Sequence, residues 1–259
     1  MIDLQNKHGT YIFKINQVGI KDLVHPIMVT RQDNSIQHTI GTFSLFVALA
    51  STQRATHMSR FIEIVNQQDW ILSCYTNLDL AQLIANKLES KSSYIKIAFN
   101  YFINKTAPVS KVPGLLDYKV NFIAEITATT QLVKLEVTVP VKTLCPCSKA
   151  ISQYGAHNQR SNIFISAQLN LNTPNKITIE DLIKVAEQSA SSEIYSVLKR
   201  EDEKYITEYA YNNPKFVEDL VRDIAKQLSQ DPRILNFTIS AENFESIHNH
   251  SAYALITNR

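Results

Sequence analysis

Two of the chain's three cysteines stand one residue apart, in Cys145-Pro146-Cys147, and His157 follows after nine intervening residues. Thiolate sulfur with neutral imidazole nitrogen is the donor set that holds zinc or a neighbouring transition metal. A disulfide across so short a loop would be strained, so the pair points to metal binding or catalysis. Two small buried hydrophobes at a strand end are the plainer reading. Against it stands Pro146, which predicts an extended, turn-like backbone offering both thiols to one region. His157 lies in the polar run Gln153-Tyr154-Gly155-Ala156-His157-Asn158-Gln159-Arg160, between two expected strands, where loops carry function. His248-Asn249-His250 sets two imidazoles at a spacing that points them the same way in an extended segment, one as a ligand and the other as a structural or acid–base partner. A surface loop fits that spacing equally. Glu203, in Glu201-Asp202-Glu203-Lys204, reads as part of a mixed-charge face. Glu218 reads as the i,i+4 partner of Arg222, near a favourable helix N-terminus.

The elements that must position these groups are legible from alternation and helical spacing. In the first half, strands fall at Tyr11/Phe13/Ile15 and Phe43/Leu45/Val47/Leu49. Helices follow at Met58/Phe61/Ile62/Val65 and at Leu80/Leu83/Ile84/Leu88, the latter capped by Asn77 or Asp79. Strands return at Ile97/Phe99/Tyr101/Ile103 and Tyr118/Val120/Phe122/Ala124/Ile126. The second half repeats the order. Its strands are Val133/Leu135/Val137/Val139 and Ile163/Ile165/Ala167/Leu169/Leu171. One helix carries Leu182/Ile183/Ala186/Ala190/Ile194/Val197. Another starts at Asn213-Pro214 and carries Val217/Leu220/Val221/Ile224/Leu228. Strands close the chain at Leu235/Phe237/Ile239 and Tyr253/Leu255.

The expectation is an α+β chain of two tandem strand-strand-helix-helix-strand-strand repeats, residues 1–128 and 129–259, with the seam near Thr127–Thr130. Each repeat is an antiparallel sheet with helices on one face, and most site residues fall in the second. Open sheet edges predict an oligomer that closes sheets into barrels.

Composition narrows the classes. The 259 residues supply a full core, and a formal net charge of +2 without a basic block argues against nucleic-acid binding. The longest apolar run, near Phe46-Val47-Ala48-Leu49-Ala50, is too short for a membrane span, and the N-terminus lacks an export signal. Few cysteines suit a reducing, cytoplasmic setting. None of the five glycines forms a dinucleotide fingerprint or a P-loop.

The segments Leu144-Cys145-Pro146-Cys147-Ser148-Lys149 and Gly155-Ala156-His157-Asn158-Gln159-Arg160-Ser161 together resemble GTP cyclohydrolase I of type B. So do Thr56-His57-Met58-Ser59-Arg60-Phe61, the stretch from Asp202-Glu203-Lys204 through Asn213-Pro214-Lys215-Phe216-Val217-Glu218-Asp219, and Glu245-Ser246-Ile247-His248-Asn249-His250. Ala55 departs from a glycine in relatives, which matters only if the backbone there needs a positive φ.

The resemblance covers nearly the whole chain. It implies the tunnelling fold in two tandem copies, and a homotetramer with active sites at subunit interfaces. The implied reaction converts GTP to 7,8-dihydroneopterin triphosphate and formate, the first step towards tetrahydrofolate and, in many bacteria, towards queuosine. It implies a divalent metal (zinc, or manganese or iron) held by Cys145, His157, Glu203 and His248. Glu218 would grip the guanine edge, with Cys147 and His250 as acid–base candidates. Lys149, Arg160, Lys199, Arg200 and Arg60 are available cations for the triphosphate.

The rivals are a nitrile reductase of the same fold class, which uses a cysteine nucleophile with NADPH and no metal, and a structural metal-binding protein with a closed site. A zinc nucleobase deaminase is disfavoured, because its His-x-Glu and Pro-Cys-x-x-Cys pattern is absent.

Overall fold

The computed structural model describes residues 9–67 and 70–258, and among these there are nine strands and six helices. In chain order they are β1 (Ile15–Thr30), β2 (Ile36–Leu49), α1 (Met58–Asn66), β3 (Ile71–Leu72), α2 (Thr76–Lys87), β4 (Ser93–Thr106) and β5 (Pro113–Ile126). There follow β6 (Gln131–Leu144), α3 (Pro146–Ile151), β7 (Asn158–Leu169), α4 (Ile179–Ser189), α5 (Arg200–Asn212), α6 (Val217–Ser229), β8 (Ile234–Asn243) and β9 (Ala252–Asn258). The hydrogen-bonded strand order is β3-β1-β2-β4-β5-β6-β7-β8-β9. The chain forms two compact units: one takes the described residues up to Phe99 with Asn121–Leu135, the other Asn100–Val120 with the chain from Glu136 onward.

In the first unit β2 pairs antiparallel with β1 and β4. Phe43, Leu45 and Val47 point every second side chain of β2 into a core shared with Phe61 and Ile64 of α1 and Leu80 and Ile84 of α2. The expected strand at Tyr11/Phe13/Ile15 is displaced. Tyr11 and Phe13 are exposed, the N–H groups of Gly9 and Tyr11 donate to the Thr52 and Ser51 carbonyls, and β1 starts only at Ile15. Alternation along β1 is broken by irregularities between Ile15 and Val18 and between Ile20 and Leu23, with Asp22 at φ 60° between the paired stretches. Gly19 is needed there, because a Cβ would sit 2.0 Å from the Leu45 carbonyl oxygen. Neither Asn77 nor Asp79 caps α2. The Ser73 hydroxyl accepts from the Thr76 N–H at 3.1 Å and the Thr76 hydroxyl accepts from the Ser73 N–H at 2.8 Å, so Asn77 lies inside the helix and is buried. Ala55 is not among the residues with positive φ, so the departure from glycine costs no backbone strain.

The second unit carries Cys145, Cys147, His157, Glu203, Glu218, His248 and His250, while Arg60 lies in the first. Its core joins Val137 and Val139 of β6, Ile163 and Ile165 of β7, Leu182 and Ala186 of α4, Leu220 and Ile224 of α6, and Ile239 of β8. Thr178 and Asp181 form a reciprocal capping box at the start of α4. That helix does not continue to Val197: it stops at Ser189, because Ser192 is drawn into a two-bond bridge with Lys142 of β6.

Helix α5 has no counterpart in the apolar pattern. It buries only Asp202, Ile206 and Ala210, and the rest of its surface is polar or tyrosyl. Asn213-Pro214 does not open α6. Asn213 closes α5, its N–H donating to the Ala210 carbonyl, and Phe216 precedes the first turn of α6.

Candidate active site

Strand β6 ends at Leu144, whose N–H donates to the Ser191 hydroxyl at 3.0 Å and whose carbonyl accepts from the Lys215 N–H at 3.1 Å. The strand end is thereby gripped by the segment after α4 and by the link into α6. Cys145 follows in extended geometry (φ −70°, ψ 119°), as a residue before proline must. Pro146 then opens α3 at its first turn, where a missing N–H costs nothing. The expected extended path through Pro146 is thus replaced by a short helix. Cys145 caps it, half-buried, its Sγ accepting from the Ser148 N–H at 3.5 Å, while Cys147 is exposed. All three cysteines are free thiols.

The loop then folds back on itself. Gly155, at φ +124°, turns the chain. The Cys145 N–H donates to the His157 carbonyl at 3.1 Å, and the Ser148 hydroxyl accepts from the His157 N–H at 3.0 Å. Cys145 and His157, twelve positions apart in the chain, are therefore backbone neighbours.

Gln159 and Glu245 complete this corner. His157 Nδ1 lies 3.1 Å from Gln159 Oε1 and 3.8 Å from Glu245 Oε2, and Gln159 Nε2 donates to Glu245 Oε1 at 3.4 Å. The Glu245 segment is pinned alongside, because the Phe244 N–H donates to the Arg160 carbonyl at 2.9 Å and Ser161 bonds both Thr143 and Asn243. A bond between β7 and the end of β8 is a long-range product of sheet order, so no local signal marked Gln159.

The other candidates lie on separate elements. Glu203 is exposed on the first turn of α5. Its neighbour Asp202 is fully buried and accepts from the N–H groups of Val109, Ser110 and Lys199 and from the Ser110 hydroxyl. Burial opposes its charge, yet the Ser110 hydroxyl and these backbone donors outweigh that and hold the carboxyl well below the usual range. Glu218 is exposed on the first turn of α6, and Arg222 bonds Asp219 in place of it. His248 and His250 are exposed and stack at 5.1 Å in an irregular segment, so they share a side without being extended.

Among the described residues no three His, Cys, Asp or Glu side chains stand together as a metal-holding group. Cys145 and His157 nonetheless fit a metal in chemistry. A thiolate sulfur and an imidazole nitrogen are both ordinary ligands of zinc and its neighbours.

A cavity of about 460 Å³ adjoins the closed loop, lined by Lys142, Leu144, Tyr154, Ala156, Asn158 and Tyr211 among others. Burial lowers the pKa of Lys142 in it. Lys149 stands over the Tyr211 ring at 4.3 Å and donates to the Tyr211 carbonyl.

The mixed sheet-and-helix architecture is that of a tunnelling-fold protein. Uricase from Arthrobacter globiformis shares it with a TM-score of 0.54 at 9% identity, over 96% of this chain and 94% of that one. Urate oxidase from Bacillus subtilis 168 does so with a TM-score of 0.52 at 10% identity, over 93% and 98%. At such identities the likeness speaks for the fold alone. A family model described as type I GTP cyclohydrolase FolE2 matches residues 1–254. GTP cyclohydrolase FolE2 of Methylobacillus flagellatus is 48% identical over 98% of this chain and 94% of its own. That of Nitrosomonas eutropha is 49% identical over 98% and 94%. The chain belongs to the type I GTP cyclohydrolase FolE2 family.

Proposed function

We propose that this chain exerts its GTP cyclohydrolase I activity, the first step of tetrahydrofolate synthesis, through the corner built around Cys145 and His157. The observation that carries the reading is the closed loop that makes those two residues neighbours. A divalent metal would be held by Cys145, His157, Glu203 and His248, with zinc favoured by the thiolate and manganese or iron compatible with the carboxylate and imidazoles. When bound, it supplies Lewis-acid activation of the water that adds at C8 of guanine.

The chain's own groups do the rest. The Glu218 carboxylate accepts from guanine N1–H and the exocyclic amine together, a bidentate charge-assisted contact that fixes the ring. Addition of water at C8 opens the imidazole ring. A second hydrolysis releases formate, and ring closure to the pterin returns one water. These steps move protons on and off ring nitrogens and sugar oxygens, and His250 and Cys147 serve as the acid–base groups. Lys142, in the cavity beside the loop, joins Lys149, Arg160, Lys199, Arg200 and Arg60 as candidate cations for the triphosphate.

Among the described residues of one chain no three of these ligands stand together, which supports completion of the site by a second copy. In this reading residues 1–128 and 129–259 are two tunnelling-fold repeats, and four chains close their sheets into barrels in a cytoplasmic, reducing setting. The test is direct. Metal-reconstituted protein incubated with GTP, then oxidised and dephosphorylated, gives pterin fluorescence and formate. Chelated protein gives neither, and a chain that stays silent after reconstitution with zinc, manganese or iron overturns the reading.

A further inference from the structure

We infer that Gln159 is a positioning residue which selects the tautomer of His157 and thereby sets metal affinity, an inference resting on the reading of His157 as a metal ligand. Gln159 is 7% exposed, so its amide is held by protein groups. One end meets Glu245, where the amide nitrogen donates to the carboxyl Oε1 at 3.4 Å. That fixes the other end: the amide oxygen faces His157 Nδ1 at 3.1 Å and accepts its proton. Glu245 itself stands farther from the ring, at 3.8 Å. The relay Glu245–Gln159–His157 thus fixes the orientation of the amide and with it a single imidazole tautomer, Nε2 unprotonated.

The loop supplies the other restraint on the ring. The main chain of His157 is tied at its N–H to the Ser148 hydroxyl and at its carbonyl to the Cys145 N–H, so the residue cannot slide along the loop. Backbone bonds leave side-chain rotation free; the Gln159 contact is what stops it. Partners of this kind are worth about 10–100-fold in metal affinity.

The experiment has two readouts. In ¹⁵N-histidine-labelled, metal-free wild type, with the His157 signal identified against His157→Ala, His157 shows the Nδ1–H tautomer. In Gln159→Leu it shifts towards Nε2–H. Zinc affinity, measured by competition with a chromophoric chelator, falls about 10–100-fold in Gln159→Leu. An Nε2–H tautomer in the wild type overturns the inference without reference to any variant. So does unchanged zinc affinity in Gln159→Leu when His157→Ala has lost the metal. Retention of zinc by His157→Ala instead overturns the ligand assignment beneath it.

Discussion

Cys145 gains its place from the residue after it. Proline holds Cys145 extended and opens a helix, so the thiol becomes the cap of that helix and faces the returning loop. Replacing Cys145, His157, Glu203 or His248 with alanine is expected to remove most bound metal and most activity together. Metal analysis beside the pterin assay checks this, and full metal content in Cys145→Ala would sink the assignment. Glu218 should behave differently. Glu218→Gln keeps its metal and its fold but cannot accept from both guanine N–H groups, and kcat/KM falls by roughly 30-fold or more, the scale for truncating a buried charge-assisted pair. Near-normal kinetics would return Glu218 to a solvated helix face.

At the scale of elements, the second unit is held by buried polar groups as much as by its apolar core. Lys105 of β4 bonds Glu187 of α4 at 2.7 Å and Glu193 at 2.6 Å, and the Tyr118 hydroxyl of β5 donates to Glu187 at 2.7 Å. Burial pushes the Glu187 carboxyl up, and Lys105 pulls it back. Lys105→Met leaves that carboxylate buried without its cation, at a cost of about 3–5 kcal/mol in chemical denaturation. The sign of the pH dependence follows from the raised pKa. Below the unfolded-state value both states are protonated and the cost is least. As pH rises, the unfolded state ionises first, so the penalty grows until the folded pKa is passed. Asp202 has the opposite sign. Its depressed pKa contributes stability above the ordinary carboxylate range that is lost as pH falls, so the Tm gap between wild type and Asp202→Asn should narrow on acidification. Thr178→Ala removes one arm of the α4 capping box and should cost about 1 kcal/mol.

For the whole molecule, assembly is the open property with a sharp test. Strand β9 ends the strand order and leaves Tyr253 and Leu255 more than half exposed, an apolar edge that a second copy can cover. If the site draws on two chains, inactive Cys145→Ala mixed with inactive Glu218→Gln should regain partial activity after subunit exchange. Light scattering of the wild type should report an oligomer, expected to be a tetramer. A monomer by that measurement, active at nanomolar concentration, refutes the interface.

The sequence by itself determined the strands with clean alternation, such as Phe43/Leu45/Val47, and the amphipathic α1 and α6, because a side-chain period is a local property. It also marked Cys145 and His157, since reactive side chains at short spacing are visible without a fold. Helix α5 escaped because two apolar residues and a buried aspartate leave almost no periodic signal, and β1 escaped because its irregular register breaks the alternation. The end of α4 was decided by Ser192 meeting Lys142, a pairing no propensity of residues 182–197 encodes. Gln159 and Glu245 are 86 positions apart, and only the sheet order that brings β7 beside β8 makes them partners of His157. Local periodicity carries the elements; hydrogen-bond satisfaction between distant segments decides where they stop and which polar groups meet.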